Sequence, residues 1–205
     1  MQKITYADRE AWLDGRRGRV TGTRLKDLIV KRGTSKKKGF YEIIAERIAI
    51  PRPDNENKMD RGQTLEGEAI ERFVNETGTP VDASLVIFAR DDDENIAYSP
   101  DGFITHDGVV DEDAEVKCLN SASHIEAYLT KTIPKEYEEQ NLQAFCVNDN
   151  LKKRHWIFYD PSMPIDYFVI EVKREDVAEK VAEYLQLQRD ELAEIERITN
   201  ELLNF

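Results

Sequence analysis

Residues 96–119 read IAYSPDGFITHDGVVDEDAEVKCL, and the layout of this stretch decides the fold. Asp107-Gly108 separates two runs rich in strand-forming residues, and an Asp-Gly pair in that setting is a strong hairpin signal. Side chains alternate along a strand, so Glu115 and Lys117 share one face while Val116 points to the other. A carboxylate and an ammonium then stand together at a strand end. If Asp101 lies across the hairpin on that face, its oxygens and those of Glu115 converge as hard ligands for Mg²⁺ or Mn²⁺. Such an ion polarises a phosphodiester and stabilises the leaving oxygen, with Lys117 positioning the attacking water or offsetting negative charge.

The register of the hairpin tests this expectation. Cross-strand partners in a regular hairpin share a constant index sum. A two-residue Asp107-Gly108 loop sets that sum at 215 and pairs Asp101 with Ala114, which leaves Glu115 on the wrong face. A shared site requires 216, hence a three-residue loop with a glycine bulge, or a bulge within Val110 to Asp113.

Outward from the hairpin, Val81, Ala83, Leu85, Ile87 and Ala89 alternate, which predicts a half-buried strand. The run from Ile96 to Ile104 predicts a second. Helices are expected over Ala7–Leu13, from Thr23 as N-cap through Ile29, over Phe40–Ile48, over Gly62–Asn75, over Ala122–Thr130 and over Lys135–Val147. Pro51–Lys58 reads as a loop. Strands His155–Tyr159 and Tyr167–Val172 precede a last long helix with Val177, Val181, Leu185, Leu192 and Ile195 along one stripe. Strands in the middle with helices on both sides make an α/β fold around a central mixed sheet. The 205 residues fit a single domain. It divides into a basic segment 1–40, a sheet core 81–173 and a C-terminal helix 174–205.

Hydrophobic residues make up 40% and charged residues 34%, enough for a core under a charged surface and too ordered a mix for a disordered chain. No apolar run is long enough to span a bilayer and the start is too polar for a signal peptide, so a soluble, cytoplasmic protein is expected. Cys118 and Cys146 have no CxxC spacing and assemble neither a disulfide framework nor a zinc or iron–sulfur ligand set. Net charge is −12, yet residues 1–40 carry twelve basic and four acidic side chains. That split suggests either a polyanion-binding element on an acidic body or a first segment that packs against an acidic face of its own fold.

The chain resembles the phage lambda-type exonucleases, the YqaJ-like viral recombinases of the PD-(D/E)xK nuclease superfamily. The resemblance rests on six pieces in order: Arg16-x-Gly18-x-x-Thr21-x-Thr23, Gly62-x-x-x-Glu66, Ser99-Pro100-Asp101-Gly102, Glu115-x-Lys117, Tyr137-x-x-Gln140 and Tyr159-Asp160-Pro161. It implies a restriction-endonuclease-like core with Asp101, Glu115 and the Val116 carbonyl at the metal, and Glu66 facing it through water. Lys117 becomes the catalytic lysine, and Gln140 the glutamine on the helix behind the active sheet. Arg16, Thr23 and Ser99, with Gln140 beside them, correspond to a pocket for a terminal 5′-phosphate. Arg offers a planar donor fork, and a helix opening at Thr23 turns N–H groups toward an anion. The implied activity is Mg²⁺-dependent 5′-to-3′ digestion of one strand at double-stranded DNA ends, leaving 3′ overhangs for phage recombination. A ring-shaped homotrimer and a single-strand annealing partner are implied with it. Where the family often has a second glutamine this chain has Leu142, with Gln143 one position later.

Two other readings share the same residues. A PD-(D/E)xK endonuclease of restriction or repair type keeps the metal site without needing the end-phosphate pocket. A non-catalytic DNA-end binder has no use for Lys117 beside two carboxylates. Lys36–Lys38 is either a backbone-tracking patch or a solvated turn, and Trp12 either stacks on a terminal base or anchors its helix to the core. His106, His124 and His155 receive no role, and Asp91–Glu94 reads as a solvated turn.

Overall fold

A computed structural model describes residues 1–29, 40, 43, 60–119, 121–161 and 163–204. Lys36–Lys38, the loop Pro51–Lys58 and most of the helix expected over Phe40–Ile48 lie outside them. Phe40 and Ile43 are described, helical and buried.

The chain opens with strand β1 (Gln2–Thr5), which the sequence reading did not anticipate. Helix α1 (Arg9–Gly15) starts two residues later than expected because the Asp8 carboxylate caps it, accepting from Ala11 N at 2.8 Å. Helix α2 spans Gly22–Leu28, and its N-cap is Thr21. The expectation for Thr23 is therefore corrected: it lies inside the first turn. Helix α3 (Asp60–Thr77) ends where Gly78, at φ 70°, turns its N–H back to the Val74 carbonyl at 2.8 Å.

Strand β2 (Val86–Ala89) pairs antiparallel with β1 on one side and with β3 (Ala97–Tyr98) on the other, in the order β1-β2-β3. Here the structure departs from the expected Val81–Ala89 strand. The Asp82 carboxylate accepts from Ser84 N at 2.9 Å and its backbone bridges to Phe103, so the regular strand begins only at Val86. All four residues of β2 are buried, because Val86 and Phe88 join the main core while Ile87 and Ala89 pack with Ala97, Tyr6 and Trp12. The expected continuous strand Ile96–Ile104 is split as well. At the break, Pro100 has no N–H to pair and the Ser99 hydroxyl donates to the Val86 carbonyl at 2.5 Å.

The second sheet is mixed. It contains β4 (Gly102–His106), β5 (Val109–Lys117), β6 (Lys153–Tyr159) and β7 (Tyr167–Lys173) in that order, with β5 and β6 parallel and the other pairs antiparallel. The parallel connection runs through helix α4 (Ser121–Thr130), a 3₁₀ turn (Lys135–Tyr137) and helix α5 (Glu138–Val147). The long helix α6 (Arg174–Leu203) closes the chain. Among the described residues no helix is long and apolar enough to cross a membrane.

Register in the β4–β5 hairpin changes partway. Asp107 and Gly108 both have positive φ, 50° and 80°, as a two-residue turn of the primed type requires. Thr105 pairs with Val110, but Ile104 pairs with Glu112, Phe103 with Asp113 and Gly102 with Ala114. Asp111 is the bulged residue, held by His106 Nδ1 at 2.6 Å and Lys152 Nζ at 2.9 Å. The bulge falls within the expected window and restores the index sum the site needs.

Two faces of this sheet are covered differently. On one, Ala69, Ile70 and Phe73 of α3 pack against Ile104, Ala114, Val116 and Ile157. On the other lies the larger core, with Leu25 and Leu28 from α2, Leu142 and Phe145 from α5, and Val181, Leu192 and Ile195 from α6. Each such apolar side chain contributes roughly 1.5–3 kcal/mol when fully buried. Val177 and Leu185 of the expected α6 stripe are only partly buried, whereas Tyr184, Gln188 and Thr199 are buried with it.

Candidate active site

The face of β5 turned toward α5 carries Asp113, Glu115 and Lys117 at period two. Lys117 Nζ donates to Glu115 Oε1 at 2.6 Å. The Gln140 amide of α5 donates to the same oxygen, and Arg154 Nη2 of β6 donates to Oε2 at 2.6 Å. Asp101, just before β4, accepts the Val116 N–H on Oδ2 at 2.7 Å, which fixes its carboxylate against β5. The three groups singled out at the hairpin are thus brought together.

Electrostatics separate the two carboxyls. Burial alone drives Glu115 upward, but Lys117 and Arg154 outweigh it and hold the group below its ordinary range. Asp101 is raised, first by burial and then by the charge of Glu115. Burial opposes the charge on Lys117, and Glu115 and Asp101 more than restore it. A buried acid pair in which one member is driven toward its neutral form is a place where a cation is favourable. Among the described residues no three carboxylate, imidazole or thiol groups are arranged as a complete ligand set. Two hard carboxylates nonetheless fit Mg²⁺, which keeps several of its waters and takes few protein ligands.

Glu66 approaches from α3 and lines a hollow with Arg9, Trp12, Pro100 and Asp101. Its carboxyl is raised by burial, with Arg9 opposing and Glu115 adding to the rise. Glu66 is therefore at the same site but on the opposite helix from Gln140. Helices α2 and α5 meet at Gln140: a Cβ at Gly22 would come 3.0 Å from Gln140 Cγ, so a larger residue there would push the Gln140 side chain aside.

A second, small pocket adjoins the acids. Arg16, Thr23, Ser99 and Gln140 line it together with Gly22, Tyr98 and Arg154. Arg16 Nη2 lies 3.5 Å from Thr21 Oγ1 and 3.4 Å from Thr23 Oγ1, both long contacts. Burial lowers the Arg16 pKa while Glu115 and Asp101 favour its charge. Trp12 organises the rim. Arg16 stacks 4.5 Å over its ring, and Nε1 donates to Ser99 Oγ at 2.7 Å and to the Val86 carbonyl at 3.2 Å. Its packing with Ile87, Ala89 and Ala97 is that of a core anchor.

Other residues resolve into structural roles. Gln143 is buried and donates to the Val20 and Ala97 carbonyls at 2.8 and 3.0 Å, tying α5 to β3, and Leu142 is core. His106 contacts Asp111, His124 the Ile165 carbonyl and His155 Glu112. In the Asp91–Glu94 turn, Asp92 pairs with Arg90 and Arg189.

Sequence reasoning missed Arg154, Asp113 and Tyr98. Arg154 is 1% and Asp113 0% exposed; Arg154 Nε lies 3.3 Å from Asp113 Oδ1, and Arg154 Nη1 donates to the Gln140 carbonyl at 2.7 Å. Burial raises Asp113 to about 7 against the pull of Arg154. The available signal was the continuation of the polar period from Glu115 and Lys117 back to Asp113, which marks a charged face on a central strand needing a cation from its neighbour.

Comparison with known proteins gives the family. Residues 11–149 match the model of the YqaJ-like viral recombinase domain. The chain is similar to the alkaline exonuclease LHK-Exo from Laribacter hongkongensis, at 25% identity and TM-score 0.77, covering 96% of this chain and 99% of that one. A structure of LHK-Exo in complex with dAMP matches at 26% identity, TM-score 0.76 and the same coverage. A phage-related exonuclease from Haemophilus somnus 129PT shares the fold, at 13% identity and TM-score 0.63 over 90% of this chain and 96% of that one. No curated protein sequence matches the chain. The mixed sheet flanked by helices is a restriction-endonuclease-like core, and with most of its length matched the chain belongs to the YqaJ-like viral recombinase domain family.

Proposed function

We propose that this chain, an exonuclease by its family and its solved relatives, digests one strand of linear duplex DNA from the 5′ end and leaves a 3′ single strand. One observation carries the reading: Gln140 lines the Arg16–Thr23–Ser99 pocket while its amide holds Glu115. A phosphate in that pocket would sit one side chain away from the acid pair. Cleavage would then be set at a fixed short distance from a strand end.

Mg²⁺, with Mn²⁺ as substitute, would be held by Asp101, Glu115 and the Val116 carbonyl, with Glu66 reaching it through water, and would supply Lewis-acid activation of the scissile phosphodiester. The chain's own groups do the rest. Arg16 places two N–H donors on a terminal phosphate, with the Thr23 and Ser99 hydroxyls beside them. Lys117, kept protonated by the two acids, orients the attacking water and offsets charge on the equatorial oxygens. Gln140 keeps Glu115 aimed at the cation. Arg9, Trp12, Arg16 and Thr23 line these two hollows, so the basic first segment supplies part of the DNA path through an acidic body. The family likeness further supports a homotrimer around DNA, a single-strand annealing partner and the cytoplasm of a bacterial host.

The test is digestion of linear duplex labelled at either the 5′ or the 3′ ends, with and without Mg²⁺. Early release of the 5′ label and late release of the 3′ label, in Mg²⁺ alone, is expected. Early release of the 3′ label would reverse the polarity, and cutting of a covalently closed circle would favour the endonuclease reading.

A further inference from the structure

Arg154 lies on β6 with 1% of its surface exposed; a guanidinium so deeply buried needs its donors matched, and here both Nη atoms are hydrogen-bonded while Nε is only ion-paired. Nη2 meets Glu115 Oε2 at 2.6 Å, Nη1 meets the Gln140 carbonyl at 2.7 Å, and Nε stands 3.3 Å from Asp113 Oδ1. The parallel register explains the reach: Asp113 is beside Arg154 and Glu115 beside Trp156, so the guanidinium bridges two acids in succession along one face. Glu115 is thereby divided. Oε2 belongs to Arg154, and Oε1 faces Lys117 and Gln140.

We infer that Arg154 is a positioning residue for divalent-cation binding: by holding Glu115 Oε2 and the main chain of α5 at Gln140, it presents the remaining Glu115 oxygen beside Asp101. The inference rests on the reading of Asp101 and Glu115 as cation ligands. A buried arginine can also serve only to neutralise Asp113 and Glu115, and the two accounts make opposite demands. Lysine in its place keeps the charge but loses the planar fork. Glutamine loses the charge, which by Coulomb attraction alone would tighten cation binding by the acids.

The experiment titrates the full-length, DNA-free protein with Mn²⁺ by calorimetry or electron paramagnetic resonance, and measures kcat and KM on 5′-phosphorylated duplex ends. Arg154→Lys and Arg154→Gln should each bind Mn²⁺ about 10–100-fold more weakly, the usual effect of removing an outer partner of a metal ligand. Their kcat at limiting Mn²⁺ should fall and recover as Mn²⁺ is raised, as expected if the substitution weakens cation binding; a loss confined to KM would instead place the effect in the end-phosphate pocket, which Arg154 also lines. Unchanged Mn²⁺ affinity in Arg154→Lys, or tighter binding in Arg154→Gln, overturns the inference; circular dichroism identifies a variant that fails to fold, and the other then decides. Asp101→Asn separates the two levels. If it leaves Mn²⁺ binding unchanged, the cation site itself is misassigned and the inference falls with it. If it abolishes binding while both Arg154 variants bind normally, only the inference falls.

Discussion

Gly102 pairs with Ala114, one step beyond the partner a regular two-residue hairpin would give it, and this sets Asp101 across from Glu115. The Val116 N–H then closes the arrangement by donating to Asp101 at 2.7 Å. Chemistry on this sheet depends on that register, because a one-residue slip turns every side chain of a strand to the opposite face.

Lys117→Ala should retain DNA-end binding and lose cleavage by about 10²–10³-fold, the range for removing one preorganised charge stabiliser. Lys117 is also a positive charge beside the two acids, so its removal should lower the cation concentration needed for half-maximal residual rate. Single-turnover digestion at several Mn²⁺ concentrations, with binding followed by gel shift, reads both. A variant that cleaves normally would remove Lys117 from the mechanism.

How much of this was legible in the chain differs from element to element. The hairpin, its bulge and the acid pair followed from period-two arithmetic and one Asp-Gly turn. Arg154 did not, because cross-strand partners separated by a crossover leave no local spacing to read; only the parallel pairing of Asp113 with Arg154 reveals it. The break between β3 and β4 was hidden for a different reason. Ala97 and Tyr98 are as strand-like as Phe103 and Ile104, and the change of sheet is made by Pro100 and by the Ser99 hydroxyl bonding back to Val86. Thr21 and Thr23 are equally good caps by composition, and the helix starts after the earlier one without a side-chain cap bond to mark it.

Arg16→Ala should erase the preference for 5′-phosphorylated over 5′-hydroxyl ends. A hydrogen bond to a charged partner is worth about 1.5–3 kcal/mol, which corresponds to a discrimination of at least tenfold. Competition between the two substrates in one tube measures it directly. Equal degradation of both ends by the wild type would refute the pocket.

Trp12→Phe keeps an apolar ring in the Ile87–Ala89–Ala97 cluster but removes the indole donor to Ser99 Oγ. Stability should fall by about 1 kcal/mol, the net worth of one hydrogen bond. The 5′-phosphate preference should weaken, since Ser99 loses the contact that aims it into the pocket. Urea unfolding and the end-competition assay together separate the effects, and a variant with reduced stability but full preference would confine Trp12 to the core.

Chelation should abolish activity without unfolding the protein, because sheet and helices pack through apolar clusters that do not involve the acids. Adding Mn²⁺ back should raise the unfolding midpoint, as any ligand that binds only the native state does. That shift should vanish in Asp101→Asn. A midpoint indifferent to Mn²⁺ in the wild type would mean that no cation is bound before DNA arrives.

Asp92 offers a pH test far from the acids. The side-chain hydrogen bond from Arg90, with Arg189 beside it, depresses its carboxyl to about 2, against an ordinary value of about 3.9. A depressed folded-state pKa contributes stability that is present above the ordinary value and lost as pH falls toward about 2. Asp92 is 47% and Arg189 41% exposed, so solvent screening keeps the contribution near the 0.2–1 kcal/mol of surface pairs. Arg90 also holds Asp149 and the Cys146 carbonyl, so the pair fastens the turn before β3 to the end of α5 and to α6. Between pH 4.5 and 2.5 the wild type should therefore lose more stability than Asp92→Asn, measured as urea midpoints. Parallel losses in the two proteins would show that the ion pair carries no net weight in the fold.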